Sequence, residues 1–159
     1  MPEEFPYNLP IWRRAYLAES PDKKFIAEIN PAHEVSMGNP TYGTLILSNG
    51  INLEMCNPSF VWSDDSKYLA VPQYSSHWIF RVGKQRLLII DIKQQQIWQS
   101  AKIAHYIQPE EFENGKLEVT VSPFSEATTV AYNIPTDLNN FTKKISPPNN
   151  SLKPIGNKE

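Results

Sequence analysis

Histidine is the side chain best placed to move protons or bind metal near neutral pH, and two of the three histidines, His33 and His77, stand 44 residues apart. Glu34 follows His33 directly. Two imidazoles and a carboxylate are a ligand set used by metal-assisted hydrolases, so His33, Glu34 and His77 are the metal-site candidates. The competing reading is two loop histidines bonded to water and backbone, since no helical spacing such as HExxH supports the set. His105, beside Tyr106, reads as ordinary packing. No GxSxG elbow and no glycine-rich phosphate loop occurs, and six glycines are few for a backbone cradle. No catalytic residue is assigned and no cofactor is expected. Asp22, Asp64 and Asp65 occupy turn positions that account for them, because Asp side chains bond backbone amides two residues on. Cys56 has no basic neighbour to activate it and reads as an inert thiol.

Recognition chemistry is better represented. Tyr42, Tyr74, His77, Trp78 and Arg81 belong to two long connections, residues 30–42 and 72–84. Aromatic and arginine side chains anchor interfaces, and long loops on a rigid scaffold carry recognition. The alternative is that Trp78-Ile79-Phe80 is one more core strand.

Composition narrows the partners. Among 159 residues, 15 Lys+Arg face 17 Asp+Glu, for a formal charge of −2. No basic stripe is available to neutralise phosphates, which argues against nucleic acid as a partner. The start, Met1-Pro2-Glu3-Glu4, lacks the basic and apolar pattern of a secretory leader. The longest aliphatic run, Leu87-Leu88-Ile89-Ile90, is far too short to span a membrane. A single Cys56 excludes an internal disulfide, and a cytoplasmic location is the default expectation.

The elements that must position these residues are strands. Fourteen prolines punctuate the chain and leave little room for a long helix. Between them lie short β-branched and aromatic segments such as Phe25-Ile26-Ala27-Glu28-Ile29, Thr44-Leu45-Ile46-Leu47, Lys67-Tyr68-Leu69-Ala70-Val71 and Lys116-Leu117-Glu118-Val119. Asn49-Gly50 and Asn114-Gly115 are hairpin signals. At an offset of 43 residues, Ser20-Pro21-Asp22-Lys23-Lys24-Phe25-Ile26-Ala27 overlays Ser63-Asp64-Asp65-Ser66-Lys67-Tyr68-Leu69-Ala70. At the same offset Leu45-Ile46-Leu47-Ser48 overlays Leu88-Ile89-Ile90-Asp91. A looser third copy begins near Tyr106.

Phe60-Val61-Trp62-Ser63-Asp64-Asp65-Ser66-Lys67-Tyr68-Leu69-Ala70-Val71 resembles the "WSPDGKYLAV" stretch of TolB-type and WD-repeat β-propellers, over about residues 13–100. The resemblance implies four-stranded blades and implies nothing about activity. A closed propeller takes at least four blades, and this chain holds two or three.

The expectation is therefore an all-β protein of about 10–12 short antiparallel strands. They form blade-like units near 13–56, 57–100 and 101–134 in an open stack or sandwich. One domain spans 1–145, with one short helix after Pro135 capped by Thr136 or Asp137. A disordered tail follows at 146–159. Functionally, the expectation is a non-enzymatic protein-interaction module, in one version an immunity protein that inhibits a toxin or enzyme, or a chain that self-associates through sheet edges. The alternative is a metal-assisted hydrolase at His33, Glu34 and His77. A truncated relative of a larger propeller is a third.

Overall fold

A computed structural model describes residues 9–35, 39–75, 84–121 and 127–144. The described residues are all-β, in three antiparallel layers, as the strand and turn pattern anticipates. β1 (Tyr16–Glu19), β2 (Ile26–Ile29), β4 (Thr41–Leu47) and β5 (Asn52–Cys56) form a first meander, with the two-residue β3 (His33–Glu34) added beside β4. β6 (Val61–Trp62), β7 (Tyr68–Ser75), β8 (Lys84–Asp91) and β9 (Gln96–Ala104) form a second. A single pairing, Cys56 with Gln73, joins the two meanders into one ten-stranded sheet. β10 (Ile107–Glu113), β11 (Lys116–Val121) and β12 (Thr128–Asn133) make a separate three-stranded sheet.

The repeated segment folds twice into the same turn. Ser20 Oγ donates to Asp22 Oδ1 (2.6 Å) and accepts the Phe25 N–H (3.1 Å), while Asp22 Oδ1 accepts the Lys24 N–H (3.0 Å). Ser63, Asp65, Tyr68 and Lys67 reproduce all three bonds, in the same order, at 2.7, 2.9 and 3.0 Å. Lys23 and Ser66, at φ 61° and 63°, supply the left-handed residue of each turn. Asp and Ser are needed because their short side chains reach backbone amides that a turn leaves unpaired. The Ser20 hydroxyl, backed by the Lys24 amide, holds the Asp22 carboxyl below its ordinary value. The turns also touch one another. Asp22 N–H donates to Ser66 Oγ at 2.9 Å, and Asp64 binds the next hairpin through Phe112 O (3.0 Å) and the Asn114 N–H (3.1 Å). Three turns thus line up along one edge of the stack.

Two apolar interiors separate the layers. Ala27, Ile29, Leu45, Leu47 and Leu53 of the first meander meet Phe60, Leu69, Val71, Leu88, Ile90 and Ile97 of the second. Ala70, Leu87 and Ile89 face the other way, onto Ile107, Phe112, Leu117, Val119 and Val121. Strands buried on both faces read as unbroken apolar runs instead of alternating ones, which explains Leu87-Leu88-Ile89-Ile90.

The structure corrects the repeat in one respect. Ala27 pairs with Leu47, whereas its equivalent Ala70 pairs with Ile89. β2 therefore maps onto β7 at 43 residues, but β4 maps onto β8 at 42. A slip of one residue exchanges the faces of a strand, so Leu45 corresponds to Leu87 and Ile46 to Leu88.

A short helix follows Pro135 as anticipated, but it is a five-residue 3-10 helix, Thr136–Asn140, with no side-chain cap, and it stops before Lys143-Lys144. Asp137 instead accepts the Asn133 N–H at 2.6 Å. Thr142–Lys144 is β13, paired antiparallel with β9. Leu138 within the 3-10 helix and Phe141 at its C-terminal cap both pack on the second interior, which fixes their apolar character without a longer helix. The third unit begins at Ile107, not 101, since β9 runs on to Ala104, and it has three strands. The 146–159 tail lies outside the described residues.

Candidate functional site

Of the metal-site candidates, His33 and Glu34 form β3, with His33 opposite Tyr42 and Glu34 opposite Thr41. Both are exposed. Successive strand residues point to opposite faces, so these neighbours do not converge on one ion. They border an open hollow of about 500 Å³ shared with Trp12, Arg13, Arg14, Ala32 and Thr41. Arg13 is committed elsewhere, stacked over the Tyr16 ring at 4.0 Å and donating to Pro58 O at 3.4 Å. Among the described residues no three His, Cys, Asp or Glu side chains gather to hold a metal. His77 lies outside the described residues, as do Trp78 and Arg81.

Tyr42 is not a surface anchor. It is 5 % exposed, and its hydroxyl accepts a 2.9 Å bond from Gln85 Nε2. Gln85 Oε1 in turn accepts the Ile107 N–H at 2.7 Å. One buried glutamine thus ties all three layers, and burial raises the Tyr42 pKa above its ordinary value. A tyrosine in a long connection looks like an interface residue in a sequence. Here Tyr42 lies in β4 opposite His33, not in a loop, and the next residue, Gly43, packs so closely on the Pro31 carbonyl that a Cβ would collide with it. Tyr74 is half-buried, edge-on to Tyr42 at 5.1 Å between ring centroids.

Cys56 is fully buried, and its environment pushes the thiol up to about 12 from 9.0. Lys144 lies nearby, donating to Gln73 Oε1 at 2.9 Å, with its own pKa lowered by burial. A folded-state pKa above the unfolded value stabilises fully below about pH 9 and loses that contribution as pH rises towards 12. The unfolding free energy from urea titrations is expected to stay level up to about pH 8.5 and then fall, by up to about 1.4 kcal/mol per pH unit from this group. A Cys56→Ala variant is expected to show a shallower decline, and an identical decline would remove the thiol from the account.

The surface that stands out was not singled out by its sequence. Leu17, Ile26 and Ile46 are 53 %, 40 % and 53 % exposed on the outer face of the first meander. Pairing places Leu17 and Ile46 on either side of Glu28, with Ile26 opposite Glu19. Under the corrected registers these three correspond to Phe60, Leu69 and Leu88, each buried to 1 % or less in the second meander. The signal was present in the repeat, as three core-type residues recurring in a copy whose outer face no layer of the described residues covers. No helix among the described residues is long and apolar enough to cross a membrane. No family model, curated protein or solved structure matches the chain.

Proposed function

We propose that this protein is a non-enzymatic protein-interaction module that binds its partner through the outer face of the first meander. The apolar face formed by exposed Leu17, Ile26 and Ile46, which no layer of the described residues covers, carries this reading. In a stacked β fold every layer needs cover for its apolar face, and exposed aliphatic clusters mark interaction sites. The matching turns and strand order support kinship between these units and propeller blades, here in an open stack of three. A cognate inhibitor, such as an immunity protein that neutralises a toxin or enzyme, is the most concrete form of the proposal.

Affinity capture from the source lysate tests it, with wild-type, Leu17→Ser/Ile46→Ser and Tyr74→Ala proteins immobilised in parallel. The expected result is one partner retained by wild type and Tyr74→Ala and lost by the double variant. A partner lost only with Tyr74→Ala would move the site to the end of β7 that carries Tyr74. Capture of further copies of this chain alone would make it a self-associating protein.

A further inference from the structure

We infer that the partner seated on this face is a cationic protein that lays aliphatic side chains over Leu17, Ile26 and Ile46 and basic side chains against Glu19, Glu28 and Glu54. The inference rests on the proposed interaction function and specifies its chemistry. Two of the carboxylates replace apolar residues of the covered copy. Glu19 stands where the second meander has Trp62, and Glu28 where it has Val71. Trp62 packs on the first interior and Val71 is part of it. Glu54 follows the inward-facing Leu53 on β5 and is exposed. No Lys or Arg occurs in β1, β2, β4 or β5, so these acids have no counter-charge on their own strands. Beside Leu17 and Glu28 a hollow of about 220 Å³, reaching Tyr16 and Asn30, offers room for a long side chain. A lysine or arginine suits it, with an apolar stem and a charged tip.

A second copy of the chain fits this face poorly in either orientation. Face to face, three carboxylates of one copy would meet three of the other, and like charges at an interface are repulsive. Head to tail, the outward side of the three-stranded sheet would have to be buried. That side carries Glu111, Thr129, Asn133 and the exposed Lys116–Glu118 ion pair at 3.1 Å. Desolvating an ion pair opposes such packing.

Soluble eight-residue strand peptides serve as probes, one alternating Ile with Lys, one Ile with Glu and one Ser with Lys, titrated into isotopically labelled full-length protein by NMR. The Ile/Lys peptide is expected to shift amides of β1, β2 and β4. Its affinity should fall several-fold from low to about 0.5 M salt and on the order of 30-fold in Leu17→Ser/Ile46→Ser. Glu28→Lys should reverse the preference toward the Ile/Glu peptide. Equal binding of Ile/Lys and Ile/Glu peptides would overturn the cationic assignment and leave the interaction function standing. Equal binding of the Ser/Lys peptide would overturn the aliphatic part. Shifts confined to other strands, or no binding by any peptide, would overturn the assignment, while lysate capture separately decides whether the module has a partner.

Discussion

Asn57→Ala is expected to cost about 3–5 kcal/mol in urea unfolding, a large share of the roughly 5–15 kcal/mol that holds a domain folded. Asn57 is fully buried. Its amide nitrogen donates to Ile11 O at 2.9 Å and Thr41 O at 2.8 Å, and its Oδ1 accepts the Ser59 N–H at 3.1 Å. Truncation removes the side-chain partner of Thr41 O and of the Ser59 N–H and leaves Ile11 O with only a long 3.4 Å bond from Thr41 Oγ1, each buried group left without a partner costing about 1–3 kcal/mol. Asn57→Asp keeps the acceptor for Ser59 but turns two donor contacts into repulsion, so it should be at least as damaging at neutral pH and recover partly in acid as the carboxyl protonates. A loss under about 1 kcal/mol for Asn57→Ala would mean that water replaces the side chain.

Leu88→Ala and Ile89→Ala are each expected to lose about 2–5 kcal/mol, the usual cost of emptying a packed site. The result is informative because the two residues are neighbours on one strand. In a sheet with one wet face, one of them would be exposed and its truncation nearly free. Here Leu88 faces the first meander and Ile89 the three-stranded sheet, both 0 % exposed. Ile46→Ala, at the position equivalent to Leu88 but on the outer face, should change stability by less than about 0.5 kcal/mol. Equilibrium denaturation of the three variants separates a three-layer stack from a two-layer one, which would spare either Leu88 or Ile89.

Local chemistry made the strands and turns legible before any coordinates. Asn114-Gly115 forms its tight turn with φ 51° and 76°, as two left-handed residues require. Gly50, at φ 99°, closes the turn after Leu47. The Ser20 and Ser63 turns match because each is stabilised within six residues. Register was less legible. The overlay of Leu45-Ile46-Leu47 on Leu88-Ile89-Ile90 was plausible because all six residues are aliphatic, and only backbone pairing reveals which face each occupies. Burial of Tyr42 depends on Gln85, 43 residues away, and nothing local to either residue announces that bond. The segment after Pro135 was legible in part: a short helix forms at Thr136–Asn140, but apolar spacing in a short stretch fits several conformations, and β9 draws Thr142–Lys144 into a strand by pairing with it.

Exposure of the outer face in the free protein and its cover in the complex form the central claim, and hydroxyl-radical footprinting measures both. In the isolated chain Leu17, Ile26 and Ile46 should oxidise at rates typical of exposed aliphatic side chains, with Leu69 and Leu88 as unreactive references. On addition of the captured partner, oxidation of all three should drop together while exposed Val35, away from this face on the chain beyond β3, stays unchanged. Leu17 and Ile46 already unreactive in the free protein, or equally reactive with and without the partner, would contradict the account.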